Sequence, residues 1–202
     1  MKATLDLWDW RRRVSDMYGA LRQADDPMLA WKKWRDVRDE LFRDHPQSPL
    51  EQVDRAKFRG LAYFPYDSAM RFVVGLVPAG DQGPRDVPAG QDGMVQMQPF
   101  ARTQGLLGPL GAELTLFWIM GYGGGVFLPF ADATAGQETY GGGRYLLDTI
   151  KGADLGSAAD GGIVLDFNFS YCPSCAYSPR FVCPLAPAEN RLPGAVRAGE
   201  RL

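Results

Sequence analysis

The stretch Asp166-Phe167-Asn168-Phe169 alternates polar and aromatic side chains and reads as part of a strand. Successive side chains of a strand point to opposite faces, so Asp166, Asn168 and Ser170 share one face and Phe167 and Phe169 the other. On a second expected strand Arg144 and Asp148 fall on a common face by the same rule. If the two strands are neighbours and their polar faces turn inward, an arginine, two carboxylates and an amide line one pocket. Such a set suits a small polar or anionic molecule, with the guanidinium of Arg144 as a planar fork of donors. In an enzymatic version Asp166 is the general acid or base, Arg144 holds an anionic substrate or developing charge, and His45 is a second proton carrier. Tyr140, Tyr145, Asn190 and Arg191 join Arg144, Asp148 and Asn168 as candidate ligand-binding residues. The alternative is an outward polar face carrying an Arg–Asp pair of little consequence.

Three cysteines follow the spacing Cys172-x2-Cys175-x7-Cys183, with prolines at 173, 179 and 184. A Cys-x2-Cys pair is half of a zinc site, and the chain offers one further cysteine and a single histidine, His45, for the other half. A metal-binding protein is therefore one alternative. Small buried thiols in a proline-stiffened loop is the plainer account, and no metal ligand or cofactor is assigned. Tyr-Gly-Gly-Gly occurs twice, at 122–125 and 140–143. A phosphate loop needs a helix after its glycines, whereas Gly143 leads into Arg-Tyr-Leu-Leu-Asp-Thr, a strand-like run. Both triglycines read as barrel corners.

The elements that must hold these residues fall into two textures. Leu5, Trp8, Val14, Met17, Tyr18 and Leu21 recur at helical spacing over residues 5–24. Asp25-Asp26-Pro27 stops that helix and caps a second one over 28–42, which ends before His45-Pro46. After Ser48-Pro49, short segments rich in β-branched and aromatic residues predict strands at 58–64, 71–77, 95–102, 113–120, 127–130, 144–149, 163–169 and 196–198. Residues 78–93 read as a surface loop. No long helical pattern separates the strands. The expected fold is thus α+β: an N-terminal helical segment, 1–50, packed on a mainly antiparallel β-barrel or sandwich, 51–202.

Composition narrows the partners. The 202 residues carry 22 Lys and Arg against 24 Asp and Glu, interspersed, so no basic stripe for nucleic acid is present. Arg11-Arg12-Arg13 sits among acids on a helix and reads as a solvated face. The N-terminus has no secretory h-region and the longest apolar run, 114–120, is too short for a bilayer, which predicts a cytoplasmic protein without a membrane partner. A rival to the pocket is an interaction or oligomerisation module. Its tryptophans, Trp8, Trp10, Trp31 and Trp34, would dock a partner or a second copy of the chain as a homodimer.

Arg38-Asp39-Glu40-Leu41-Phe42, His45-Pro46 and Ser48-Pro49-Leu50 form a recognisable signature. Gly121–Gly125, Phe130 with Asp132, Thr139–Leu146, Asp166–Phe169, Cys175-Ala176-Tyr177, Cys183–Pro187, Asn190-Arg191-Leu192 and Ala198-Gly199-Glu200 extend it. Together they resemble a bacterial family known as domain of unknown function 1684, over most of the chain after about residue 30. The resemblance implies no activity. It does imply that positions matching Arg144, Asp166, Asn168, Cys175 and Cys183 belong to the family's motif, and it directs attention to the segment 118–200.

Overall fold

A computed structural model describes residues 1–90 and 93–202; Gln91 and Asp92, at the end of the expected 78–93 loop, lie outside the described residues. Helix α1 spans Lys2–Leu21 and α2 spans Pro27–Asp44. The restart between them is built as its residues dictate: Asp26 stays extended, its carboxylate accepts the backbone N–H groups of Met28 and Leu29, and Pro27 opens the first turn. Each helix buries one stripe, Met17, Tyr18 and Leu21 on α1 and Ala30, Trp31, Trp34, Arg38, Leu41 and Phe42 on α2. Trp31 and Trp34 are therefore consumed by packing within the chain. Trp8, stacked under Arg12, stays exposed.

Among the described residues seven strands follow, β1 Arg71–Pro78, β2 Arg85–Pro88, β3 Met94–Gln104, β4 Thr115–Ile119, β5 Gly125–Phe130, β6 Arg144–Asp148 and β7 Ile163–Asp166, with a short helix α3 Gln52–Arg55 before β1 and α4 Leu107–Leu110 between β3 and β4. All ladders are antiparallel and the order is β6-β5-β4-β3-β1-β7, with β2 beside β3. The sheet curls until its ends nearly meet. After β7 a 3-10 turn, Phe167–Phe169, redirects the chain so that Tyr171 pairs with Tyr145 of β6, N–H to carbonyl in both directions at 2.8 and 3.1 Å. The result is a nearly closed barrel under two helices, as expected of an α+β chain.

Several local expectations change. Residues 58–64 form no strand beyond a bridge between Tyr63 and Glu200, because their backbone pairs with the chain's last residues instead of with the sheet. The expected strand 163–169 stops at Asp166, whose carboxylate takes the N–H of Asn168 and starts the 3-10 turn. Val196–Ala198 joins no ladder, since Arg144 takes its carbonyls. The triglycines are corners: a Cβ on Gly124 would sit 2.3 Å from the Ile119 carbonyl, and one on Gly143, at φ +92°, 2.5 Å from that of Phe130. Inside the barrel lies an apolar core that includes Leu114, Leu116, Leu128, Phe130, Leu165 and Phe167. A second cluster, with Tyr18, Trp31, Trp34 and Phe169, joins helices to barrel.

Glu113 shows how a single carboxylate sets a connection. It accepts the Thr103 hydroxyl at 2.6 Å and the N–H groups of Gly105, Leu106 and Leu107 at 2.9–3.0 Å, closing the turn from β3 into α4. Partial burial pushes its pKa up, but these donors outweigh burial and hold it below the ordinary 4.5. A carboxyl depressed in the folded state contributes its full stability above the unfolded-state pKa and loses it as pH falls through the folded value. Glu113→Gln is expected to cost about 1–2 kcal/mol at neutral pH. In urea titrations that gap to the parent protein should shrink below about pH 4.5; a gap that ignores pH would count against the assignment.

Candidate functional site

The strand positions of β6 decide which residues meet. Phe127 pairs with Asp148 and Leu128 with Leu147, but Pro129 pairs with Tyr145 and Phe130 with Arg144, so Leu146 is an extra residue, a β-bulge. The bulge changes the expected alternation. Arg144 and Leu147 share the face of Phe130 and Leu128, in the apolar core. Tyr145 and Asp148 share the opposite face with Phe127, which looks toward the helices. Arg144 and Asp148 therefore do not share a face, because the register slips by one residue between them.

Arg144 is 1% exposed and pairs with Asp132, Nη2 to Oδ2 at 2.8 Å, not with Asp166. Its Nη1 donates to the carbonyls of Ala198 and Glu200, and Nη2 also to that of Val196 at 2.9 Å. Asp132 accepts in turn from the Thr134 N–H and hydroxyl and from the Val196 N–H. This buried cluster ties the C-terminal strap, residues 196–200, to the barrel. Asp166 sits elsewhere: Oδ1 takes the N–H and side-chain amide of Asn168 at 3.0 and 2.8 Å, and Arg71 approaches Oδ2 at 3.4 Å. Burial pushes the Asp166 carboxyl up against the opposing pull of Asn168 and Arg71. Asn168 is saturated by the backbone of Asp67, and its own carbonyl accepts the Trp31 indole N–H at 3.0 Å. Asn190 is likewise saturated, bonded to Thr115 on β4 and to the Pro129 carbonyl on β5, while Arg191 is exposed.

His45 caps a helix end. Its Nδ1 accepts the Gln47 N–H at 3.0 Å, which leaves Nε2 to donate to Asp9 at 3.2 Å, and Trp10 packs edge-on against the ring. It meets none of the other expected catalytic residues. The Tyr140 hydroxyl donates to Cys175 Sγ at 3.5 Å, and that bond with partial burial pushes its pKa up to about 12. Burial raises the Cys172 thiol far above its usual range and that of Cys183 to about 11, so neither is an activated nucleophile. Among the described residues no group of three or more His, Cys, Asp or Glu side chains is placed to hold a metal ion.

A space that can take a ligand lies outside the barrel, between the helices and the outer faces of β4–β6. It is a cavity of about 510 Å³, within the size range of small-molecule sites. Leu7, Trp10, Val14, Leu41 and Phe42 wall it from the helices, Ile119, Phe127 and Tyr145 from the sheet, and Phe181, Val182 and Cys183 from the C-terminal loop. Set into this apolar lining are Tyr18, Arg38, Asp148, Lys151 and Tyr171. Of the expected site residues, Tyr145 and Asp148 are brought here.

Arg38 is the centre of the polar end. Nη2 donates to Glu200 Oε2 at 2.6 Å and Nε to the Tyr63 hydroxyl at 3.2 Å, while Nη1 has no partner among the described residues. Its guanidinium lies 4.9 Å from the ring of Trp34, 5.3 Å from Phe42 and 5.0 Å from Tyr171. Glu200 is buried, which pushes its carboxyl up despite the pull of Arg38. The Tyr18 hydroxyl accepts the Trp34 indole N–H at 3.1 Å, keeping its own proton to donate. Asp148 carries Lys151 on Oδ2. Tyr18, Arg38, Tyr171 and Lys151 are absent from the set expected from sequence. One signal was available: Arg38 continues the helical stripe of Trp31, Trp34, Leu41 and Phe42, a cation at a buried position.

Arg144 gives a direct test of its anchoring role. Arg144→Met should leave Asp132 Oδ2 and several strap carbonyls buried without a donor, and the carboxylate without its counter-charge, at a cost of about 3–5 kcal/mol in urea unfolding. The double substitution Arg144→Met with Asp132→Leu should recover part of that loss; no recovery would mean that the guanidinium's bonds to the strap outweigh the ion pair.

Among curated proteins none matches this chain. The solution structure of an uncharacterized protein from gene locus rrnAC0354 of Haloarcula marismortui is similar: it is 35% identical, the match covers 83% of this chain and 90% of that one, and the TM-score is 0.56. The profile of a family described as "Protein of unknown function (DUF1684)" matches residues 56–201, and the chain belongs to that family.

Proposed function

We propose that the protein binds a small molecule with an apolar body and one polar end in the cavity between α1, α2 and the outer face of β4–β6. The observation that carries this reading is Nη1 of Arg38, without a partner among the described residues, on a side chain only 10% exposed in the wall of an otherwise largely apolar cavity. Nη1 is not sealed off by protein, so a ligand or water in the cavity can complete it. Cavities lined by aromatic and aliphatic side chains with a few convergent polar groups are the usual form of small-molecule sites. Tyr145 and Asp148 belong to this site in the proposal. Arg144, Asp166, Asn168 and Asn190 frame it, because their hydrogen bonds fix the strap and the strand ends that carry its polar groups.

The neutral fluorophore N-phenyl-1-naphthylamine tests the cavity without assuming a polar group. Its emission should rise on binding at one site per chain. Val14→Trp from the helix wall and Ile119→Trp from the sheet wall each fill the space and should weaken binding tenfold or more with a cooperative melting transition retained. Unchanged binding in both folded variants would sink the cavity as the site.

A further inference from the structure

The chemistry of the occupant can be drawn from the hydrogen-bonding capacity that the cavity leaves unused, and it rests on the cavity reading above. We propose that the ligand is an amphipathic monocarboxylate, its carboxylate received by Arg38, Tyr18 and Tyr171 and its hydrocarbon part lying along Val14, Leu41, Phe42, Phe127 and Phe181. The free groups at the polar end are mainly donors. Among the described residues Arg38 Nη1 and the Tyr171 hydroxyl have no partner, and the Tyr18 hydroxyl has spent only an acceptor site, on Trp34. Lys151 keeps two ammonium protons beyond the one given to Asp148.

These groups lie together: the Arg38 guanidinium is 5.0 Å from the Tyr171 ring and 4.9 Å from that of Trp34, which bonds Tyr18. Burial raises the pKa of both tyrosines, so both stay protonated and able to donate. A carboxylate has two oxygens with about four acceptor sites and no donor, which complements this set. An ammonium group would instead face Arg38 and Lys151 with only Asp148 in its favour. The two charged pairs, Arg38 with Glu200 and Asp148 with Lys151, are each balanced, so recognition falls to directed hydrogen bonds and not to a surplus of charge. The apolar walls set the rest of the ligand: the five residues named for the tail are uncharged, and Arg11, which also lines the cavity, is exposed to solvent.

The test is displacement of bound N-phenyl-1-naphthylamine by three unbranched ten-carbon molecules that differ in head group: decanoate, decanol and decylammonium. Decanoate should displace the probe at a concentration at least tenfold below decanol, the size of advantage that charge-assisted hydrogen bonds supply, with decylammonium weakest. Tyr171→Phe should narrow the decanoate-to-decanol ratio several-fold while decanol itself is unaffected, a split that a merely structural tyrosine would not produce. Tyr18→Phe, which keeps the ring packing, should act in the same direction. If decanol or decylammonium matches decanoate while the probe still binds, the carboxylate assignment is overturned and the cavity reading stands. If the probe binds nowhere that Val14→Trp can block, both fall.

Discussion

The guanidinium of Arg144 is the point to which the rest of the structure is tied. With Asp132 it captures the carbonyls of Val196, Ala198 and Glu200, so the chain's last turn is drawn back along the barrel instead of leaving it. The strap then pairs on both sides: Phe64 donates to Gly199, Glu200 donates to Ser170, and Arg201 donates to Ala62. Only glycine fits at 199, where φ is +78° and a Cβ would meet Ser170 Oγ at 2.1 Å. Fixing the strap fixes the Glu200 side chain, which in turn holds Arg38 of α2 and the N–H of Cys172. One buried arginine thus positions, through a carboxylate at the far end of the chain, a second buried arginine that faces the cavity.

Buried ion pairs of this kind are poor sources of net stability, since desolvation offsets most of the attraction. Their effect here is one of register. Arg144 offers a fixed fork of donors, and the strap satisfies it only when three alternate carbonyls, those of 196, 198 and 200, line up. An apolar residue in its place would pack against the strap without defining its position along the chain. The Arg38–Glu200 pair does the same for the helices, as it permits α2 to settle on the barrel in one rotational setting, with Trp34 fully buried and edge-on against Phe169.

Much of this architecture is legible in the sequence because it rests on local rules. Asp26-Pro27 fixes the boundary between helices, burial recurs at every second residue of β3 (Met97, Pro99, Ala101, Thr103), and the glycines mark real corners. Other features depend on partners distant in sequence. The alternation rule places Arg144 and Asp148 together, and a single bulge at Leu146, invisible to any pattern, separates them. Asp166 and Asn168 look like pocket residues, yet they meet the backbone of Asp67 and the indole of Trp31, which no spacing announces. The polar end of the cavity is assembled from α1, α2, β6 and the segment after β7. A sequence pass that seeks chemistry within single segments cannot join them.

The bulge at Leu146 has a further consequence for where a ligand can lie. Without it β6 would present Tyr145 and Leu147 on the face opposite Arg144, and Asp148 would turn into the apolar core. A carboxylate there would lack Lys151, which reaches it from the 3-10 turn directly after the strand. The extra residue instead puts Asp148 beneath the helices, where it stays buried but pairs with Lys151, whose own side chain reaches solvent. The barrel interior is thereby left to apolar packing, and the polar groups of β6 and α2 are gathered in the layer between sheet and helices. A fold governed by stability alone would close that layer with larger side chains, since unfilled space forfeits packing. Retaining the opening, with a cation and two tyrosines at one end of it, is the local exception to good packing on which the proposed site rests.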